Sequence, residues 1–240
     1  MNYSDGIAGA RTMIALVGNA AALQHRLPGG WELAPYAGDD LRGKSLRGAK
    51  MLIAFHEVYA TRTQPGHPPA GLTQVSYIAF VSQARHAASG EVAHIHWLTY
   101  TEDPAGIPGK YRDAKLARIA RSQTFVKERR GETQVRESFS AASDDGSLQL
   151  SLSYAQGGMV VWATSDAPNL PLRAANDPGI VRVYQEDQVL DVVRSDPLGI
   201  NRVSEVGLTA TGELADVLDG TERVVAVVIQ RPYMRHVYVP

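Results

Sequence analysis

Three consecutive stretches decide the fold class: Thr133-Gln134-Val135-Arg136-Glu137-Ser138-Phe139-Ser140-Ala141, then Asp144-Asp145-Gly146, then Leu148-Gln149-Leu150-Ser151-Leu152-Ser153-Tyr154. Leu148, Leu150, Leu152 and Tyr154 alternate strictly with Gln149, Ser151 and Ser153. That is the period of a strand with one buried face and one wet face. Asp-Asp-Gly supplies the turn residues of a hairpin between two such strands. Phe125 to Glu128 with a turn at Arg130-Gly131 adds a strand before this pair, and Gly157-Gly158 breaks the chain before another at Met159 to Trp162.

Further strands are predicted on both sides of this meander. Before it lie Met51 to Phe55, Val75 to Val81 and Val92 to Tyr100; after it lie Val181 to Tyr184, Val189 to Val193, Val203 to Leu208, Val224 to Gln230 and Val237 to Val239. Residues 7 to 26 read as a helix stopped by Leu27-Pro28-Gly29-Gly30, with shorter helices over 113–122 and 211–218. The segment from Ala163 to Gly179 holds three prolines and reads as a long loop of the functional kind. Roughly ten strands at hairpin spacing, without βαβ alternation or repeats, predict a mainly β (α+β) fold. The expected form is an antiparallel β-barrel or cone with two or three short helices, spanning 1–240 as one domain and enclosing a ligand cavity.

Composition narrows the function. The chain has 240 residues with 25 acids against 24 bases, a net charge of -1. A nucleic-acid binder would carry a basic surplus, so none is expected as a partner. The absence of cysteine excludes disulfides, thiolate-bound metals and a thiol nucleophile. No apolar run reaches the roughly 18–20 residues that a membrane helix needs, so no membrane partner is expected either. Met13 to Leu23 has the look of a short signal peptide, but Gly18 and Asn19 interrupt it and no clean cleavage site follows. It is read as a surface helix and the protein as cytoplasmic. The expected partner is a small-molecule substrate, with a homo-oligomer possible.

Several motifs are missing: no G-x-G-x-x-G opens a helix, and there is neither a Walker loop nor a G-x-S-x-G elbow. Asp39-Asp40 and Asp144-Asp145 both fall in turns. Glu57, following His56 after an apolar strand, is a candidate substrate-binding carboxylate at a barrel rim. His94 and His96 have period-two spacing, which points both imidazoles from one strand face together with Leu98 and Tyr100. With Glu102 and Gly109 the pair resembles the first motif of the cupin family. The histidine-to-glutamate gap is longer than in that motif, and the second cupin motif is missing.

The lysines suggest a different resemblance. Only five are present against 19 arginines, and two lie in Gly106-Ile107-Pro108-Gly109-Lys110-Tyr111-Arg112-Asp113-Ala114-Lys115-Leu116-Ala117-Arg118-Ile119. This segment resembles the acetoacetate decarboxylase family, which carries a glycine, an Arg-Glu pair, a proline, two adjacent lysines and Leu-Ala. The wider layout over residues 25 to 240 is similar too. The resemblance implies Schiff-base chemistry, in which one lysine adds to a ketone and its neighbour's charge lowers the first lysine's pKa. Aligning on Lys-Leu-Ala places Lys115 at the second lysine and Ala114 at the Schiff-base position. Pro108 falls where the family has glutamate, and Gln74, in Leu72-Thr73-Gln74-Val75, replaces another acid.

Two readings follow. Either Lys115 or Lys110 supplies the amine from a shifted register, or no imine forms and the cavity acts by shape and hydrogen bonding. The second is preferred: a lyase- or cyclase-type enzyme without a cofactor, promoting cyclisation, dehydration or a related step on a ketone-bearing or polyketide-like molecule. Lys115, His94 and His96 are the candidate catalytic residues, and Gln74, Tyr100, Arg118 and Glu57 the candidate substrate-binding ones. The alternatives are a cupin-like metal enzyme using His94 and His96, and a non-enzymatic ligand-binding barrel.

Overall fold

A computed structural model describes residues 1–38, 41–62, 75–104, 114–127, 133–157, 160–164 and 170–240. In chain order the elements are β1 (Asn2–Val17), α1 (Ala20–His25), β2 (Trp31–Leu33), α2 (Leu41–Leu46), β3 (Met51–Arg62), β4 (Val75–His86), β5 (Val92–Thr101), β6 (Ala114–Leu116), β7 (Arg118–Lys127) and β8 (Thr133–Ala142). Then come β9 (Gly146–Gln156), β10 (Val160–Thr164), β11 (Leu172–Ala174), β12 (Val181–Ser195), β13 (Ile200–Asn201), β14 (Val203–Gly212) and β15 (Arg223–Val239). The mainly β class is as predicted.

Strands pair in the order β4-β3-β1-β15-β12-β11-β5, and β5 pairs back onto β4, closing a seven-stranded barrel. Pairing is antiparallel except between β11 and β5, which run parallel. β6 adds a parallel strand beside β5. A separate antiparallel sheet, β14-β9-β8-β7, covers part of the barrel's outside. No helix among the described residues is long and apolar enough to cross a membrane.

The meander behaves as its pattern dictates. Leu148, Leu150, Leu152 and Tyr154 are buried, while Gln149 and Ser151 are exposed. Together with Val135 and Phe139 they cover the outer barrel face made by Ile14, Leu16, Ile53, Phe55, Ile78, Phe80, Val227 and Ile229. Phe55 and Phe139 meet with ring centroids 4.5 Å apart. The barrel's inner face carries a second apolar layer of Met13, Ala15, Leu52, Leu190, Val192 and Val228, against which Tyr36, Leu46 and Ala49 pack.

The predicted helices are corrected. Over residues 7–26 only Ala20–His25 is helical, capped by the Asn19 side chain, which accepts from the Ala21 and Ala22 N–H groups. Ile7 to Leu16 belongs to β1, where residues on both faces are buried, so the alternation that marks a strand is erased. Over 113–122 the described residues form β6 and the first half of β7; pairing with β8 along ten residues overrides the helix propensity of Ala and Arg. The segment 211–218 is the end of β14 followed by turns.

Two pairs of predicted short strands are each one long strand, β12 and β15. Their polar middles, which read as turns, lie inside the barrel wall. The proline-rich loop contains β11.

Leu150→Ala is expected to cost about 2–5 kcal/mol of stability in urea unfolding, because it opens a cavity between sheet and barrel. Ser151→Ala, one residue along on the wet face, should change stability by less than about 0.5 kcal/mol.

Candidate functional site

The polar middles of the long strands meet inside the barrel. Arg11 on β1 is 8% exposed, and its guanidinium is held on all sides. Its Nε donates to Gln230 Oε1. Its Nη1 donates to Glu186 Oε1 at 3.1 Å and to the Tyr233 hydroxyl at 2.9 Å, and its Nη2 donates to Gln188 Oε1 at 3.3 Å. Tyr233 in turn donates to Glu186 Oε1 at 2.7 Å, and Gln230 Nε2 donates to Gln188 Oε1 at 2.5 Å. A buried cation survives only when paired and hydrogen-bonded, and this cluster supplies both. The register makes it possible: Arg11 pairs with Gln230 and Gly9 with Tyr233, so β15 carries one extra residue there. That bulge turns Gln230, Tyr233 and Arg235 to the same side.

Around this cluster stand His56 on β3, Tyr77 on β4, His96 and Thr99 on β5, and Arg235 on β15, all buried. His56 stacks on Tyr77 with centroids 4.3 Å apart and an interplanar angle of 13°. The His56 Nδ1 is buried without a hydrogen-bond partner. His96 Nε2 shares a 2.6 Å hydrogen bond with Thr99 Oγ1. The Arg235 guanidinium lies 4.4 Å from the centroid of the Tyr184 ring. Burial, reinforced by Arg11 and Arg235, drives the His56 pKa far below the ordinary imidazole value. Burial, with Arg235, lowers that of His96 to about 3. Both imidazoles are therefore neutral at pH 7. Burial also pushes the Tyr233 and Tyr77 hydroxyls up.

The candidate residues read from the sequence distribute unevenly. His96 lies in this cluster. His94 is half-buried and packs against the Tyr36 ring at 5.5 Å. Leu98 and Tyr100 do not share the histidines' face. The β4–β5 register shifts between His96 and Leu98, so a bulge at Trp97 sends them to the outer core.

Lys115 lies outside the barrel, donating to Asp145 Oδ2 and Glu213 Oε2, each at 2.7 Å. Partial burial opposes its charge, but the two carboxylates outweigh that, and its pKa is raised. Tyr100 reaches the same Glu213 through a 2.8 Å hydrogen bond. Glu57, also on the outer face, forms an ion pair with Arg121 and accepts from Tyr59 at 2.8 Å. Arg118 is exposed at the start of β7. Gln74 and Lys110 lie outside the described residues.

Ala114, partly buried, packs against the cluster on the inner side of the barrel that includes Ile7, Ala54, Tyr77 and Tyr233. Among the described residues no lysine is buried. Nor is any group of three His, Asp or Glu side chains among them placed to hold a metal ion.

Arg11→Met should destabilise the protein by about 3–5 kcal/mol in urea unfolding, since it takes the ion-pair partner away from the buried Glu186 carboxylate. The double variant Arg11→Met/Glu186→Gln should recover part of that loss.

Acid should destabilise the fold as well. Below about pH 6.5 the unfolded chain protonates His56 and His96 while the folded chain does not. The unfolded state then binds more protons, so stability falls with acidification from about pH 6.5 towards 3, by up to about 1.4 kcal/mol per pH unit for each histidine. His96→Gln should lessen the slope of melting temperature against pH.

At the level of sequence, no known family description and no curated protein matches the chain. Solved structures do match. The enduracididine biosynthesis enzyme MppR, with HEPES buffer bound, is similar at a TM-score of 0.53 and 12% identity, over 100% of this chain and 87% of that one. An acetoacetate decarboxylase-like enzyme from Sphingomonas wittichii RW1 is similar at a TM-score of 0.54 and 11% identity, over 99% of this chain and 92% of that one. Acetoacetate decarboxylase from Legionella pneumophila is similar at a TM-score of 0.52 and 12% identity, over 99% and 88% of the two chains. At such identity the likeness is one of fold: the barrel and its covering sheet are built as in the acetoacetate decarboxylase-like enzymes.

Proposed function

We propose that the barrel interior binds a small ketone-bearing molecule and promotes cyclisation, dehydration or a related lyase step through its enol, without a Schiff base. The observation that carries this reading is Ala114. The resemblance puts the imine-forming lysine at that position, and here a partly buried methyl group packs against the inner-side cluster that includes Tyr77 and Tyr233. The neighbouring Lys115 faces outward into two carboxylates, which keep it protonated and non-nucleophilic.

What the interior offers instead is imidazole. A histidine held neutral by burial and nearby guanidiniums acts at pH 7 as a hydrogen-bond partner that polarises a carbonyl, not as a standing acid. His56 has a ring nitrogen to spare for this. For a β-hydroxy ketone, a hydrogen bond from the imidazole to the carbonyl oxygen acidifies the α-carbon. One C–H and one C–O bond break, a C=C bond forms, and the α-proton and the hydroxyl leave together as water. The solved MppR complexes with pyruvate and with a condensation product of pyruvate and imidazole 4-carboxaldehyde favour small carbonyl chemistry on this fold.

Borohydride reduction in the presence of a panel of small ketones tests the imine question. The wild-type protein should yield no reduced adduct by mass spectrometry, whereas Ala114→Lys, which places an amine on the inner side, should yield one at position 114. An adduct on wild-type Lys115 or Lys110 would overturn the amine-free reading. Enol formation is tested separately by deuterium exchange at the α-carbon in D2O. Wild type should accelerate exchange and His56→Phe should not; a ketone bound and recovered without exchange would leave a binding barrel.

A further inference from the structure

We infer that the outer face of the covering sheet β14-β9-β8-β7 is the surface on which a second copy of this chain docks. The sheet's other face packs on the barrel through Val135, Phe139, Leu148, Leu150 and Leu152. The outer face carries Arg136 on β8 and Glu205 on β14, both exposed. Each is in register with the same residue, Ser153, on the strand between them. Neither has an ion-pair or hydrogen-bond partner among the described residues. Because β8 and β14 flank β9, a half-turn about an axis along β9 lays β8 of one copy over β14 of the other. Arg136 then faces Glu205 of the second copy, and Glu205 faces its Arg136. One two-fold axis thus makes two ion pairs, as a self-complementary patch requires.

The rest of the face agrees with this axis. The same half-turn sets Ser138 over Gly207, Ser140 over Thr209 and Ala142 over Thr211, since these pairs flank Ser151, Gln149 and Ser147 of β9. Small residues meet small ones, and the exposed Gln149 meets its own copy, where each amide can donate to and accept from the other. Gly207 keeps the face flat, because a Cβ there would come within 2.6 Å of Ser151 Oγ. A glycine inside a strand weakens it and marks a place where another backbone approaches closely. Twist favours the arrangement too: a saddle-shaped sheet turned by half a revolution about an axis along its strands coincides with itself.

Covering the face costs little. Ser122 and Ser138 share a 2.8 Å hydrogen bond, as do Ser147 and Thr211, so these hydroxyls keep a partner when water leaves. Three overlapping strands of about ten residues, roughly 3.4 Å per residue and 4.8 Å apart, bury about 1,000 Å² in all, the lower end for a specific interface. A dimer of that size, with two exposed ion pairs at its edges, has a Kd on the order of 10 μM. Its specificity comes from the placement of the two charges.

Sedimentation velocity of the full chain tests this. Wild type should pass from monomer to dimer between about 1 and 100 μM, and the dimer should weaken as salt rises. Arg136→Glu and Glu205→Arg each set like charges face to face, so each should weaken dimerisation roughly tenfold or more. The double swap Arg136→Glu/Glu205→Arg should restore it, while circular dichroism confirms the fold of all three variants. A wild type that stays monomeric at about 100 μM overturns the inference. So does a dimer that neither single variant weakens, or one that the double swap fails to restore.

Discussion

The structure turns on one buried guanidinium. Arg11 sits on a strand whose other side carries the main apolar core, and it is surrounded by groups from β12 and β15. Charge in a barrel interior is expensive, and here the expense is met by a carboxylate, two amides and a phenol placed to hydrogen-bond it. The same arrangement dictates the bulge in β15, since without it Gln230 and Tyr233 would face opposite sides. It also adds to what keeps His56 neutral, which is burial first and then Arg11 and Arg235, while His96 is kept neutral by burial and Arg235.

That constraint links fold to function. The covering sheet buries the outer barrel face and leaves the inner face as the place where polar groups converge from six of the strands that close the barrel. A Schiff-base enzyme needs a lysine there with a lowered pKa. This barrel presents a methyl group at Ala114 and imidazoles at His56 and His96, and turns Lys115 outward to a pair of acids. The chemistry we propose for it is carbonyl polarisation by hydrogen bonding.

The sequence made part of this legible. The meander from β7 to β9 could be read because one face of it meets water, so its period of two survives in the residues. The barrel strands were harder for the opposite reason. β1 is buried on both faces and loses its alternation, which is why it reads as a helix.

The site suffered most. Glu186 and Gln188 in β12, and Arg231 and Pro232 beside Gln230 and Tyr233 in β15, look like turn residues between short strands. A polar side chain inside a barrel and one in a loop are the same letter. What distinguishes them is partners far away in the chain: Arg11 and Glu186 are separated by 175 residues. The Ala114–Lys115 register, by contrast, came from the lysine segment, and Ala114 packs against the cluster that includes Tyr77 and Tyr233. The alternation read across His94 to Tyr100 was broken by a single bulge at Trp97 that no local residue announces.

The central claim is that a ketone is held in the barrel by an imidazole hydrogen bond and not by a covalent imine. The most direct measurement is the 13C NMR spectrum of a carbonyl-labelled ketone bound to the protein. The account predicts a carbonyl resonance that stays in the ketone range, moves downfield on binding and returns to its free position with His56→Phe. A resonance in the imine range, or a bound ketone whose shift ignores His56, would contradict it.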